Sequence, residues 1–340
     1  LDRTSEDVLV IGGGIAGLTV ALGLAKEGWR PWLIEKEDRL GGHAAAYVCK
    51  AVEGECQRCG ACLVDLALKE HASEARIKTL VNAAIERITP SGSGHLAALE
   101  TPDGLVEQPF RAVVLCHGFT PFDPRSRTNL GYGRVPNIMT GHELEAMLKV
   151  TGRVLRPSDG AVPRQMAFVQ CVGSRNARLG HPYCSQVCCG YALRMARQIK
   201  NRLPETDLTC FYMDIQTYGK DFPDVWPGLG GEIRFVREIP GDYFSLEGDR
   251  VGVLVETGDA VEELSFDLLV LSVGMAPSPD QDRFCEWLNA PVGAEGFLRS
   301  DPDSGVFVAG SAAGPMSIVD SIAHARAAVR DVAGFLEGRK

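Results

Sequence analysis

An α/β fold of two Rossmann-like lobes follows from three features of the sequence. Over residues 8–35 an apolar strand run, a glycine-rich turn, a helical stretch and a second strand ending on an acid follow one another. A further strand, helix and strand recur at 165–170, 191–200 and 208–213. With 340 residues and 45% hydrophobic content, the chain can bury two cores.

The first unit begins with Val8-Leu9-Val10-Ile11, a continuous apolar run suited to a fully buried parallel strand. Gly12-Gly13-Gly14-Ile15-Ala16-Gly17 then fits G-x-G-x-x-G, helix formers run from Leu18 to Lys26, and Gly28 stops them. The next strand, Pro31 to Ile34, ends at Glu35. A glycine triplet alone carries little weight, but the whole series marks a dinucleotide site. In it Gly12 permits the tight turn, Gly14 lets the pyrophosphate approach, and Gly17 allows close helix packing. Glu35 is expected on the adenosine ribose hydroxyls, followed by Lys36.

Further elements follow in chain order. A polar-faced helix is expected over 70–80 with a short strand at Ile77–Leu80, then a hairpin strand at Leu96–Glu100 with its turn at Pro102-Asp103-Gly104. Ala112–Leu115 is a buried strand running into Cys116-His117-Gly118, with Cys116 expected in the core. The proline-, glycine- and arginine-rich stretch 120–133 reads as a crossover, with an acidic helix after it. Leu268–Val273, Gly305–Gly310 and the helix Ile318–Phe335 complete the chain.

The cysteines carry the second line of argument. Cys171, Cys184, Cys188 and Cys189 fall within the nineteen residues CVGSRNARLGHPYCSQVCC. Free cysteine packs readily as a small apolar residue, but vicinal Cys188 and Cys189 suit neither a shared apolar core nor an unstrained pair of disulfides. One distant cysteine plus a tight trio fits a four-iron cluster held by four thiolates. It fits zinc less well, because zinc favours paired C-x2–4-C knuckles. A second group, Cys49, Cys56, Cys59 and Cys62, contains C-x2-C-x2-C without the ferredoxin continuation to Cys-Pro. A second cluster, a redox thiol group and inert thiols all remain open for it.

Composition excludes other classes. A net charge of −9 and a pI near 5.4 oppose the basic footprint of nucleic-acid binders. The sequence holds no eighteen-residue apolar run and no signal segment, so no transmembrane helix and a cytoplasmic location are expected. Eleven cysteines in such a chain point to metal or redox chemistry.

The acid Glu35 with the following doublet Gly41-Gly42 and His43 resembles the disulfide-reductase class of flavoproteins with two dinucleotide-binding domains. That resemblance implies FAD rather than NAD in the first lobe. It also implies backbone contacts to adenine near Ile85, a glycine turn at Gly118, and Gly310 with Ser311 near the ribityl chain, where the class carries an acid. The helix beginning at Ile318 would turn its positive end toward the flavin. Where the class presents its NAD(P)H glycine loop, this chain has Cys171-Val172-Gly173.

CVGSR, YCSQVCCGYALRMA, FYMDIQTYGKDF and GVFVAGSAAGPMSIVDSIAHARAA resemble the A subunit of heterodisulfide reductases over essentially the whole chain. The resemblance implies a 4Fe-4S cluster on Cys171, Cys184, Cys188 and Cys189 beside FAD, with Arg194 standing where methanogenic relatives carry a flavin-side lysine. It implies a FAD-binding domain over 1–120 and 278–340, and a degenerate NAD(P)H-like domain over 121–277 that carries the cluster. It further implies electron transfer within a complex with B- and C-type subunits, a homodimer, and a compact form like that of bacterial sulfur-oxidation complexes. The quinone-interacting A subunit of sulfate reducers, a stand-alone FAD disulfide reductase using Cys56, Cys59 and Cys62, and a zinc-bearing flavin scaffold are the rival readings.

Overall fold

The computed structural model describes residues 7–216, 231–258 and 260–338. The chain divides into two compact units. The first takes the chain up to Ala45, Gly60–Thr120 and the chain from Ala276 on; the second takes Ala46–Cys59 and Pro121–Met275. The segment Ala46–Cys59 therefore packs with the second unit, although it lies in sequence within the expected first lobe.

The first unit is built on a five-stranded parallel sheet in the order Val306–Val308, Ala112–Leu115, Asp7–Ile11, Arg30–Ile34, Lys78–Leu80. Its central strands are buried almost throughout, which explains their unbroken apolar sequence. Helix Ile15–Lys26 packs against the terminal helix Ile318–Leu336, where Gly23 makes room for Val329. An antiparallel meander, Ala84–Ser91, Gly94–Thr101 and Gly104–Phe110, closes the core with Ile88, Leu99 and Phe110.

The second unit repeats this plan. Its parallel sheet runs Ile233–Val236, Asp207–Phe211, Gln165–Val172, Leu268–Val273, Ile138–Thr140. Helix Gly141–Thr151 starts with a capping box between Thr140 and Glu143, and helix Cys188–Arg202 buries Leu193, Met195 and Ile199 on the sheet. A second meander, Asp242–Leu246, Arg250–Thr257 and Ala260–Phe266, covers the other face.

One helix differs in place from the sequence expectation. The helix spans Leu63–His71, with 72–77 in turns, rather than 70–80. Its first turn holds apolar Leu63 and Val64, and polar 70–77 lacks an apolar stripe to bury. The motif FYMDIQTYGKDF is described only as far as Gln216; the rest lies outside the described residues. Among the described residues no helix is long and apolar enough to cross a membrane.

Candidate functional site

In the first unit two glycine motifs lie against each other at the carboxyl edge of the sheet. Gly12 has φ +105°, and a Cβ there would stand 2.5 Å from the Cys116 carbonyl oxygen; a Cβ on Gly17 would stand 1.8 Å from the Gly12 oxygen. Neither position admits another residue. Its own chain neighbours aside, no atom among the described residues comes within 4 Å of the point where a Gly14 Cβ would sit. The doublet docks on this loop: the Gly41 amide donates to the Gly13 oxygen at 2.8 Å, and a Gly42 Cβ would lie 3.1 Å from Gly14 Cα.

Glu35 is buried and holds this loop together. Its Oε2 accepts the Gly13 amide at 2.7 Å and its Oε1 the Glu37 amide at 2.9 Å. The carboxylate thus orders the turn. Lys36 donates to Asp280 Oδ2 at 2.7 Å, and that hydrogen bond holds its ammonium above the ordinary lysine range.

The remaining first-unit residues are placed as follows. Ala16 and Gly310 touch, since a Cβ on Gly310 would fall 2.4 Å from the Ala16 Cβ, and Ile15 opens the helix. Gly118 has φ +76° and faces the Ser311 hydroxyl. His43 is exposed, with Nε2 at 3.2 Å from the Phe119 oxygen. Ile318 begins the last helix behind the Ser317 cap, beside Gly60. Ile85 points into the core, and Ala83 and Asn82 donate amides to the Glu35 and Glu37 oxygens. Cys116 is buried, and burial pushes its thiol well up.

In the second unit the central strand Gln165–Val172 ends in a cysteine loop. Cys171 has φ +59°, Arg175 φ +55° and Gln186 φ +62°, a concentration of left-handed non-glycine residues. Between them the chain doubles back: the Arg175 amide donates to the Tyr183 oxygen at 2.8 Å and the Asn176 amide to the His181 oxygen at 2.7 Å. Gly173 backs onto Phe122, whose ring would lie 2.0 Å from a Cβ there. The Gln186 amide donates to Cys184 Sγ at 3.3 Å. Cys188 and Cys189 then open the helix.

Cys171, Cys184, Cys188 and Cys189 lie within electrostatic reach of one another. Burial pushes the Cys171 thiol up to about 11, partly opposed by Arg175, and raises Cys188 and Cys189 as well. Arg175 is itself clamped by Asp214. Among the described residues no three His, Cys, Asp or Glu side chains converge closely enough to hold a single metal ion. A cuboidal cluster spaces its thiolates more widely than one ion does.

The other cysteines sit differently. Cys49 and Cys56 are exposed and Cys59 is half-buried in the segment Ala46–Cys59; Cys62 is exposed ahead of the first-unit helix Leu63–His71. The Arg58 amide donates to Cys56 Sγ at 3.3 Å. Arg194 donates through Nε to the Gln57 oxygen at 2.8 Å, and Gln198 donates to the Cys49 oxygen at 2.9 Å. Both come from the helix that begins with Cys188, so that helix binds the segment bearing Cys49 and Cys56.

The comparisons with known proteins bear on this geometry. A family model of FAD dependent oxidoreductases matches residues 7–58. The A subunit of the H(2):CoB-CoM heterodisulfide,ferredoxin reductase of Methanothermobacter thermautotrophicus is 35% identical over 66% of this chain and 38% of that protein. The second iron-sulfur A subunit of the CoB--CoM heterodisulfide reductase of Methanopyrus kandleri is 28% identical over 98% of this chain and 64% of its own length. The chain is similar in sequence to heterodisulfide reductase A subunits. It spans about two fifths of the Methanothermobacter protein, which is 38% covered.

The fold of the chain is that of FAD-dependent disulfide reductases. Thioredoxin reductase of T. acidophilum matches with TM-score 0.65 and 16% identity over 98% of this chain and 99% of its own. The Lactococcus lactis thioredoxin reductase matches with TM-score 0.62 and 14% identity over 98% of this chain and all of its own.

Sequence reasoning missed Lys50, Glu145 and His117. Lys50 and Glu145 form a buried ion pair in the second unit. Ninety-five positions part them, so no local pattern links them. His117 figured in the sequence only as part of the turn after an apolar strand.

Proposed function

We propose that this chain is the FAD- and 4Fe-4S-bearing electron-transfer subunit of a cytoplasmic heterodisulfide-reductase-like complex, acting in sulfur-compound oxidation. The observation that carries the reading is the cysteine loop at the end of the central strand of the second parallel sheet. Cys171, Cys184, Cys188 and Cys189 stand where a Rossmann-like unit would offer a glycine turn to a nucleotide.

The first unit's residues fit FAD. Gly14 leaves open space at the start of its helix, with Gly42 packed on its Cα and Gly17 packed on Gly12, and pyrophosphate suits such a side-chain-free helix start. Glu35 holds that cradle in shape and stands for the ribose, with Lys36 beyond it. Gly118, Gly310, Ser311 and the capped helix end at Ile318 belong to the same unit, and the Ser311 hydroxyl replaces a charge with a neutral donor. When bound, FAD exchanges one or two electrons.

The second unit's donor set fits a four-iron cluster. Four thiols lie in one neighbourhood, the Gln186 amide supports Cys184, and the Arg175 guanidinium adds positive charge beside Cys171. A bound cluster supplies one-electron transfer. Arg175, held in place by Asp214, would set its guanidinium beside Cys171 as a charged neighbour of the bound group. Burial of Cys188 and Cys189 keeps water from those two sulfurs, while Cys171 and Cys184 stay partly exposed.

The complex is completed by B- and C-type partner subunits and a second copy of this chain. Support for partner subunits comes from the names of the relatives, which are subunits of such reductases. A second reading, a stand-alone disulfide reductase, is favoured by exposed Cys56 with its amide hydrogen bond. Anaerobic purification with iron, flavin and zinc analysis, followed by NAD(P)H addition, separates the two. Iron with flavin and no direct reduction by NAD(P)H supports the first; turnover of a small disulfide with NAD(P)H, lost in Cys56→Ser, supports the second.

A further inference from the structure

His117 lies two residues past the strand Ala112–Leu115, at the carboxyl edge of the first sheet. A Cβ on Gly12 would come 2.9 Å from its Cα, so it stands directly on the glycine loop. Its ring packs on Phe284 with centroids 5.0 Å apart. Neither ring nitrogen has a hydrogen-bond partner among the described residues, and both are shut off from solvent. The residue as a whole keeps some surface, which lies elsewhere than on those nitrogens.

Buried polar atoms without partners are rare in folded proteins and call for a reason. The charged groups near this ring are Asp280 and Lys36, whose effects oppose each other, and burial pushes the imidazole down to about 4. It is therefore neutral at pH 7 and carries one donor and one acceptor. Rotation about Cβ–Cγ is soft and two-fold; it exchanges Nδ1 with Cδ2 and Nε2 with Cε1. One such turn carries a nitrogen to the ring edge that now presents carbon.

We infer that His117 is an adenine-binding residue, pairing a ring nitrogen with the base of the FAD adenosine. Resting on the FAD reading of this unit, the assignment follows from position. Glu35, whose carboxylate braces Gly13, takes the ribose place, and His117 stands on the Gly12 turn of the same loop within reach of the charges of Lys36, the residue after Glu35, and of Asp280.

The test uses apoprotein titrated with FAD and with ADP, alongside thermal melting of the apoprotein. His117→Leu is expected to weaken both ligands about tenfold while leaving the apoprotein as stable as wild type or more so, because the orphaned polar atoms are gone. His117→Gln, which keeps a donor and an acceptor, is expected to recover part of the affinity. A purely structural histidine would instead lower apoprotein stability and leave ADP affinity unchanged, and that result overturns the assignment. Should the leucine variant not fold, His117→Phe keeps the ring contact with Phe284 and carries the same expectation. Wild type that binds neither FAD nor ADP refutes the FAD reading itself.

Discussion

The Lys50 ammonium meets the Glu145 carboxylate with the two side chains only 3 and 5% exposed, and the Val48 amide completes the pair by donating to Glu145 Oε2 at 3.0 Å. This contact fixes the segment bearing Cys49 and Cys56 to the helix Gly141–Thr151 of the same unit. Lys50→Met or Glu145→Leu alone strands a buried charge and is expected to cost about 3–5 kcal/mol. The double substitution restores most of that loss. Urea unfolding of the three variants checks both statements.

Gly17→Ala is expected to leave purified protein without flavin. A Cβ there would overlap the Gly12 oxygen at 1.8 Å, and neither main-chain group can yield without opening the loop. Absorbance of the released flavin per chain measures the effect.

Gly173→Ala is expected to destabilise the second unit by roughly 2 kcal/mol or more, from a left-handed backbone and a collision with Phe122. Pairing it with Phe122→Leu relieves the steric part and leaves the backbone part. Chemical denaturation of the single and double variants separates the two.

Much of this architecture was written locally. Val8 to Glu35 carries its strand, turn, helix and strand in consecutive residues, and Gln165 to Cys189 does the same for the cysteine loop, so pattern and spacing suffice there. The helix Leu63–His71 was misplaced because its short apolar start follows directly on the cysteine group. What joins distant positions was not legible. The pairing of Lys50 with Glu145, the grip of Gln198 on the Cys49 carbonyl and the role of Glu35 in bracing Gly13 all depend on sheet order, which no local periodicity encodes.

Acid should weaken the apoprotein through His117. Its ordinary value is 6.5 and burial lowers it to about 4, so the unfolded chain takes up a proton that the folded one refuses. The contribution is complete above about pH 6.5 and declines as pH falls toward 4, by roughly 3 kcal/mol in all. His117→Gln removes that part of the decline, which unfolding curves at a series of pH values will show. Lys36 and Asp280 face the same ring and are kept unchanged in the comparison.

The central claim is that Cys171, Cys184, Cys188 and Cys189 hold a four-iron cluster in the second unit while FAD occupies the first. Iron, sulfide and flavin analysis of anaerobically purified wild type, Cys184→Ala and Cys189→Ala tests it most directly. The account predicts one flavin per chain throughout, with the loss of about four irons from each variant. Undiminished iron in both variants, or zinc in place of iron in the wild type, contradicts it.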